Sequence, residues 1–339
     1  MSPDSGHGAA TAGSQAPAPR RRDLASASAR TWVARYGVLI IFVATFATFS
    51  LLKPDAFFTG VTMKAILRDC VPLLIISLGV TVVLVMNEFD LSAAGLISLC
   101  ATVVIVLIST EFEGMNYILA IILTLLVGTA LGAGNGFLVA YVKLPSFIIT
   151  IAMSTVFIGV GLQLVDSKSV FEGISPSYVK IASGTFLGFS NQVFIGLAIV
   201  GLMHVLLRLT EQGRYMYAVG GNPEAARLSG LRVQLLILVG FAIVGLAAAI
   251  TGILLTSQAG AANPNTGVGL LLPAYAAAYL GSTMFGRGLF TPFGTALGAL
   301  YLQVVGTGLL ILNFSGPLVQ IIQGGILALA VLISRFARS

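Results

Sequence analysis

Long apolar segments separated by short polar ones run along almost the whole chain. No Asp, Glu, Lys or Arg occurs from Val233 to Gly286, and none occurs from Gly288 to Ser334. An α-helix rises about 1.5 Å per residue and needs about 20 apolar residues to cross about 30 Å of hydrocarbon. Each stretch therefore predicts two membrane crossings with a turn between them. We expect an all-α polytopic membrane protein.

The uncharged stretches predict about ten transmembrane helices within a membrane domain at 36–334. We expect spans near 36–52, 71–86, 91–110, 115–142, 144–165, 185–207, 233–257, 270–286, 289–312 and 316–334. Residues 1–35 are rich in Ala, Ser, Gly and Pro, which predicts a disordered tail. Residues 335–339 form a short polar end.

Basic residues are distributed unevenly between the segments that join these spans. If the N-terminus is inside, the inner segments hold thirteen basic residues, namely Arg20, Arg21, Arg22, Arg30, Arg35, Lys143, Arg208, Arg214, Arg227, Arg232, Arg287, Arg335 and Arg338. The outer segments hold five, namely Lys53, Lys64, Arg68, Lys168 and Lys180. Inner loops of membrane proteins carry the excess of Lys and Arg. Both termini are therefore predicted to be cytoplasmic.

Composition and motifs restrict the chemistry of the chain. Hydrophobic residues make up 57% and charged residues 9%, which excludes a large soluble domain. Cys70, Cys100, His7 and His204 have no companions suited to a disulfide or a metal site. No phosphate-binding P-loop and no recognisable catalytic motif occurs. We therefore expect no metal, no bound cofactor and no enzymatic activity in this chain.

The polar run Asn87-Glu88-Phe89-Asp90 interrupts the apolar pattern and admits two interpretations. Asp90 before Leu91-Ser92 fits a helix cap at a cytoplasmic turn. The preceding span, 71–86, is short for a crossing, which favours a break between half-helices near a transport path. Carboxylates inside a membrane are costly and persist where they line a cavity or have partners.

The longest charged inner segment, 208–232, contains the signals of a short helix. Asn222 is a good N-cap, Pro223 a good first helical residue and Gly230 a good C-terminal stop. Glu224 suits the positive N-terminal end of the helix dipole, and Arg227 one turn later can pair with it. A helix this short is marginal alone, so we expect it to lean on a partner.

Several motifs resemble one transporter family. Glu224-Ala225-Ala226 followed by Gly230 resembles the cytoplasmic motif of ABC importer permeases that docks onto the ATPase subunit. More specifically, the chain resembles the ribose/xylose-type sugar permeases. Their motifs match the segments 213–230, Phe89-Asp90-Leu91-Ser92 with Gly95, Asn135-Gly136, Leu144-Pro145-Ser146-Phe147-Ile148-Ile149-Thr150, Asn263-Pro264 with Gly267 and Gly269, and Ala276-Ala277 with Gly281.

This resemblance implies that the chain works in an assembly with several other subunits. It implies separate ABC ATPase subunits that bind ATP and Mg, an extracytoplasmic solute-binding protein, and a second permease subunit in a homodimer or close heterodimer. It also implies an inverted repeat, because spans 71–165 and 233–334 begin on opposite sides of the membrane. The implied ATPase-coupling residues are Gly213, Arg214, Gly221, Asn222, Glu224, Ala225, Ala226 and Gly230.

Departures from the family pattern leave the transported molecule open. Asn87-Glu88 replaces a usual Gly-Gly, Leu271-Leu272 stand where an acidic residue is common, and Gly281-Ser282 replaces another Gly-Gly. A pentose, hexose or related polyol is expected, with nucleosides and branched-chain amino acids as alternatives. Polar side chains within spans can present hydroxyl or amide groups to a sugar, and these path candidates are Asn87, Asp90, Ser92, Asn135, Ser146, Thr150, Gln163, Tyr275 and Tyr279.

Two other classes share the hydropathy of the chain. An ion-coupled secondary transporter needs intramembrane carboxylates as coupling groups, and Glu88 and Asp90 are the candidates. A membrane receptor or scaffold has no need of a short docking helix. Both classes explain fewer of the motifs than an ATP-driven importer does.

The charge distribution generates a labelling prediction. With Cys70 and Cys100 replaced, Glu172→Cys is expected to react with a membrane-impermeant thiol reagent applied from outside, and Ala218→Cys is expected to stay unlabelled until the membrane is permeabilised. Labelling in intact cells measures both. The opposite pattern contradicts the predicted orientation.

Overall fold

The computed structural model describes residues 39–284 and 288–338, and the predicted tail at 1–35 lies outside them. The described chain folds into α-helices and one short β-hairpin. The helices are α1 (Leu39–Leu52), α2 (Gly60–Val85), α3 (Ala93–Ile108), α4 (Tyr117–Ala140), α5 (Ser146–Leu164), α6 (Pro176–Ser183), α7 (Asn191–His204), α8 (Glu211–Gly221), α9 (Pro223–Leu228), α10 (Val233–Ala259), α11 (Leu271–Met284), α12 (Pro292–Ile311) and α13 (Gly316–Arg338). The hairpin pairs β1 (Thr185–Phe186) with β2 (Phe189–Ser190) in antiparallel register.

Length and composition separate the described helices into two groups. Six are long and apolar enough to cross a membrane: α2, α4, α5, α7 with its π-helical extension to Leu209, α10 and α12. Four shorter apolar helices accompany them: Leu39–Leu52, Ala93–Ile108, Val268–Thr283 and Gly316–Leu329. The described chain is thus an α-helical membrane fold, in agreement with the sequence prediction at this level.

Helix α2 begins earlier than the sequence predicted. It starts at Gly60 rather than near residue 71, with the Thr59 hydroxyl accepting a hydrogen bond from the Thr62 N–H at 3.2 Å. Its first turns contain the charged residues Lys64, Arg68 and Asp69. The prediction was based on uncharged stretches and therefore omitted these turns. Its 26 residues extend about 39 Å. The prediction of a short span at 71–86 is therefore wrong, and span length no longer favours a break at residues 87–90.

Helix α10 lies at the centre of the fold and packs against α2, α3 and α4. Gly128, Gly132 and Gly136 form one stripe on α4 that faces α10. A Cβ added to Gly132 would lie 2.5 Å from the Phe241 carbonyl oxygen, and one added to Gly245 would clash with the Gly128 backbone. Small residues let helix backbones approach closely in lipid, and this stripe brings α4 against α10.

The two ends of α10 define the two ends of the helix bundle. At its last turns, the Tyr178 hydroxyl of α6 donates to the Ile253 carbonyl at 3.0 Å, and the Ser257 hydroxyl donates to the Tyr178 carbonyl at 2.7 Å. We call this side the α6 end. Helices α8 and α9 contact α10, and α8 lines a cavity together with Leu235 and Leu236 near the start of α10. We call that side the α9 end.

The glycine stripe generates a stability prediction with a control on the same helix. Gly132→Ala is expected to destabilise the protein by about 1–3 kcal/mol, because its methyl group has no room against α10. Gly134 faces open space, so Gly134→Ala is expected to be neutral or slightly stabilising, since Ala favours helix more than Gly does. Unfolding in detergent measures both. Equal stability of the two variants contradicts the packing argument.

Candidate functional site

The short helix α9 is largely exposed to solvent at the α9 end. Asn222 is its N-cap, and its side-chain oxygen accepts hydrogen bonds from the N–H groups of Glu224 at 3.1 Å and Ala225 at 3.0 Å. Glu224 and Arg227 pair across one turn at 3.6 Å. Gly230 ends the segment with φ of 84°, a left-handed conformation that glycine adopts without strain. The local sequence thus folds as its cap signals predict.

Most of the surface of α9 is open to solvent. Ala226 is buried against the body of the protein, whereas Glu224, Ala225 and Arg227 are exposed. Leu228 exposes 82% of its surface at the end of the helix. Helix α9 is thus held to the protein by one buried side chain and presents its remaining side chains to solvent.

Helix α8, which the sequence analysis missed, supports α9. Its N-cap Thr210 accepts a hydrogen bond from the Gly213 N–H at 3.2 Å, and Gly213 is packed so tightly on the preceding π-helical turn that a side chain would clash there. Arg214 and Gly221 are exposed. Three glycines in eleven residues give α8 a low helix propensity, so tertiary contacts rather than local preference decide its conformation.

One of those contacts ties α8 to the turn before α12. The Tyr217 hydroxyl donates to the Phe290 carbonyl at 2.5 Å, and the Arg208 guanidinium lies 5.6 Å from the Tyr217 ring centroid. Burial raises the pKa of the Tyr217 phenol, and the nearby Arg208 charge opposes that change. The phenol therefore stays protonated and remains a donor.

A buried polar network surrounds Asp90 between α2 and α3. One carboxylate oxygen, Oδ1, accepts hydrogen bonds from the Ser92 N–H at 3.0 Å and from the Ser92 hydroxyl. The Asn135 amide on α4 donates to the same hydroxyl at 2.7 Å. Asp90, Ser92 and Asn135 are all buried. Asp90 thus holds the buried turn that leads into α3. The capping interpretation expected it to cap a helix that begins at Leu91, but α3 begins at Ala93 and its N-cap residue is Ser92.

Hydroxyl groups from two other helices bind the backbone of the same segment. The Phe89 N–H donates to Ser146 at 3.4 Å, the Asp90 N–H to the Tyr275 hydroxyl at 2.9 Å, and the Leu91 N–H to Thr150 at 3.1 Å. The Phe89 and Tyr275 rings stack with centroids 6.1 Å apart. Non-helical backbone in a membrane protein needs such partners, and α5 and α11 provide them here.

The nine path candidates divide into a cluster and outliers. Six of them belong to the network: Asp90, Ser92, Asn135, Ser146, Thr150 and Tyr275. Tyr279 lies one turn beyond Tyr275 with its ring 5.2 Å from Phe290, and Gln163 is exposed near the end of α5. Asn87 is exposed at the α9 end, and its amide donates to the Gly220 carbonyl of α8 at 2.7 Å.

The sequence left open whether residues Asn87–Asp90 form a surface turn or an interior break, and the structure shows features of both. Asn87 is on the surface and Asp90 is fully buried, so the chain passes from solvent to the interior within four residues. Asn87 also has φ of 61°. Asn tolerates this left-handed region better than most other non-glycine residues, which accounts for its place at this turn.

Two acceptor atoms in the network have no hydrogen-bond partner among the described residues. They are Oδ2 of Asp90 and Oδ1 of Asn135, and both are buried. A buried acceptor without a donor carries a cost in free energy. Hydroxyl groups of a polar solute are donors of the required kind. The network therefore has two buried oxygens that can accept hydrogen bonds from a further donor.

The segment that follows α10 reaches the same region from the α6 end. The Gly267 N–H donates to the Ser98 hydroxyl of α3 at 3.0 Å, and a Cβ on Gly267 would clash with the Ala94 carbonyl. Residues 260–270 thus descend to the first turns of α3, close in sequence to Asp90. No sequence signal pairs these segments, because they are far apart along the chain.

A second polar cluster that the sequence analysis missed lies toward the α6 end. Asp69 pairs with Arg68 at 2.7 Å and accepts a hydrogen bond from Gln258 at 2.8 Å. The Gln192 amide donates to Gln258 at 3.1 Å and to the Arg68 carbonyl at 2.7 Å. These contacts join α2, α7 and α10. Among the described residues, no group of three or more His, Cys, Asp or Glu side chains is placed to hold a metal ion.

Known proteins resemble the chain over nearly its whole length. Residues 62–331 match the family described as the permease component of the branched-chain amino acid transport system. The chain is 31% identical to the D-allose transport system permease protein of Escherichia coli K12, over 89% of this chain and 91% of that protein. It is 32% identical to the L-arabinose ABC transporter permease protein of Azospirillum brasilense, over 96% and 98%. No solved structure matches it.

The match and the helical fold together define a class of protein: this is a membrane permease component of a transport system. The chain belongs to the permease family that matches residues 62–331. The ribose import permease protein of Haemophilus influenzae, 30% identical over 88% of this chain and 92% of that protein, is a further relative. The predicted multi-pass location in the cytoplasmic membrane and the assignment as a transporter subunit rather than an enzyme are confirmed.

The buried network generates a prediction for Asp90→Asn. Asn retains an oxygen for Ser92, so the fold and the expression level are expected to stay unchanged. The change removes the charge and replaces the unpartnered acceptor by an N–H donor. Loss of a hydrogen bond to a charged group is expected to lower transport about tenfold.

Uptake at matched protein levels measures this effect. Thr124→Val is the control, because the Thr124 hydroxyl donates to the Ala120 carbonyl of its own helix at 2.8 Å and lies outside the network. Equal uptake by wild type and Asp90→Asn would reduce the role of Asp90 to holding the start of α3.

Proposed function

We propose that this chain forms the translocation path of an ATP-driven, binding-protein-dependent importer for a monosaccharide. The observation that carries the substrate class is the near full-length similarity to permeases named for D-allose, L-arabinose and ribose. The family description names branched-chain amino acids, which makes these amino acids the alternative substrate. Hydroxyl, amide and carboxylate groups in the buried network fit the hydrogen-bonding groups of a sugar.

The proposed topology has ten crossings, made by the six long and the four shorter apolar helices. Both termini and the α9 end are cytoplasmic in this proposal. It is supported by the basic residues of the segment that contains α8 and α9, namely Arg208, Arg214, Arg227 and Arg232. The transmembrane domain then covers 36–334, with 1–35 and 335–339 in the cytoplasm and 208–232 as the coupling loop.

An inverted repeat relates α2–α5 to α10–α13 in the proposal. In each half a long helix is followed by an irregular segment and then by a short helix: residues 86–92 precede α3, and residues 260–270 precede α11. Transporters with inverted repeats place discontinuous helices at the substrate site. Each irregular segment contacts the short helix of the other half. Gly267 binds Ser98 of α3, and Asp90 binds Tyr275 of α11.

The path in this proposal runs past the Asp90 network, where the two irregular segments approach α3. Ser92, Asn135, Thr150 and Tyr275 surround Asp90 and are buried, and Ser146 beside them is half-buried. Alternating access therefore requires the segment 86–92 to move relative to α5 and α11. ATP binding and hydrolysis on the partner ATPase provide the energy for that movement.

The proposed ATPase contact is the exposed surface of residues 211–230. Six of the eight predicted coupling residues are exposed there, and the other two, Gly213 and Ala226, are buried beneath it. Glu224, Ala225 and Arg227 are exposed there while Ala226 anchors the helix. A second copy of this chain completes the membrane part, and an extracytoplasmic binding protein delivers the sugar to the α6 end. Specificity then comes in large part from that binding protein, so a path with few polar groups is sufficient.

The proposal is tested in proteoliposomes that contain this permease, its ATPase and its sugar-loaded binding protein. Uptake of radiolabelled ribose, arabinose, allose or galactose is expected to require ATP. Leucine uptake under the same conditions identifies the alternative substrate class, and uptake that a proton gradient drives without ATP contradicts the importer mechanism.

A variant in the same system tests the coupling surface. Glu224→Lys reverses a charge at the N-terminus of α9 and is expected to reduce ATP-driven uptake without changing membrane insertion. Ser229→Ala is the control, because the Ser229 hydroxyl donates only to the Ala225 carbonyl of the same segment at 2.9 Å. Normal uptake with Glu224→Lys contradicts the coupling role.

A further inference from the structure

Asn87 ends α2 in a specific backbone arrangement. The N–H of Asn87 donates to the Leu84 carbonyl at 3.1 Å, and the N–H of Glu88 donates to the Val83 carbonyl at 3.0 Å. This pair of bonds is the Schellman motif, which places glycine, or sometimes asparagine, at the left-handed position. Asn87, with φ of 61°, occupies that position. It keeps the backbone that a glycine would adopt and adds an amide group.

The added amide connects α2 to α8. Its nitrogen donates to the Gly220 carbonyl at 2.7 Å. Gly220 lies in the last turn of α8, where carbonyl groups lack an intrahelical donor. A side chain on Gly220 would clash with the Val85 carbonyl. The C-terminal ends of the two helices are therefore in direct contact, and the Asn87–Gly220 bond joins them.

On one side of this bond lies the proposed ATPase surface, and on the other lies the buried network. Asn222 follows Gly220 by two residues and caps α9 through its bonds to Glu224 and Ala225. Asp90 follows Asn87 by three residues, and its N–H is bound by Tyr275. The Asn87–Gly220 bond is thus a direct connection between the exposed helix and the segment that must move.

We infer that Asn87 is a positioning residue that transmits displacement of α8 and α9 to residues 88–92. The inference rests on the proposed function, because it takes the ATPase as the source of the displacement. When α9 moves, Gly220 moves with it and pulls the end of α2 and the start of the irregular segment. The hydrogen bonds of Phe89 and Asp90 to α5 and α11 then rearrange.

The chain contains a matched control for this inference. Asn313 ends α12 in the same arrangement, with φ of 63°, an N–H bond to the Leu310 carbonyl at 3.0 Å and a Phe314 N–H bond to the Leu309 carbonyl at 3.0 Å. Its side chain is exposed and makes no hydrogen bond to the described residues. Asn87→Gly and Asn313→Gly therefore make the same change at two helix ends, and only the first removes a bond between helices.

The first readout is the number of sugar molecules transported per ATP hydrolysed in the reconstituted complex. Asn87→Gly is expected to lower this ratio about fivefold, the effect of losing one hydrogen bond in the moving state. Glycine keeps the left-handed backbone at the end of α2, so the fold is expected to be retained, with a small loss of thermal stability from the deleted Asn87–Gly220 bond. Asn313→Gly is expected to keep the wild-type ratio. A wild-type ratio in Asn87→Gly overturns the inference.

The second readout needs no transported sugar. Amide hydrogen exchange of residues 86–92 is measured in the permease–ATPase complex with and without a non-hydrolysable ATP analogue. We expect the nucleotide to change exchange in wild type and Asn313→Gly and to leave it unchanged in Asn87→Gly. The same nucleotide response in Asn87→Gly overturns the inference. A wild-type complex that transports no tested sugar contradicts the proposed substrate, and the exchange result still decides the role of Asn87.

Discussion

The hydrogen bonds of the backbone between α2 and α3 determine how this membrane protein is organised. A chain that leaves the helical conformation away from water must find partners for its N–H groups in other side chains. Hydroxyl groups of Ser146, Thr150 and Tyr275 meet that requirement. Because these residues lie on α5 and α11, the need for partners draws elements from both halves of the chain to one point.

Close packing makes that arrangement possible. Lipid removes the hydrophobic drive that brings helices together in water, so contact between helices depends on shape and on hydrogen bonds. The glycine stripe of α4 places it against α10 and positions Asn135 beside Ser92. The surface helices α8 and α9 then close the same region from the α9 end, with Gly220 pressed on Val85. The site is thus closely packed on one side and joined to an exposed surface on the other.

Local signals predicted some elements well and others poorly, for identifiable reasons. The cap residues Asn222 and Gly230 indicated α9, because capping involves atoms only a few residues apart. The start of α2 at Gly60 was not predicted, because its first turns carry charged residues and the prediction followed only apolar stretches. Helix α8 was missed because its glycines disfavour helix, and its packing on the π-helical turn compensates.

The sequence by itself determined that the chain is a helical membrane permease, because hydropathy, charge distribution and motif order are properties of the chain read in one dimension. It also supplied most members of the site, since Asp90, Ser92, Asn135 and Thr150 are polar residues in apolar surroundings. Only the tertiary structure decided that these side chains meet, that Asp90 is buried while Asn87 is exposed, and that Asn87 binds Gly220. Such contacts join residues far apart along the chain, and no local propensity encodes the distance between them.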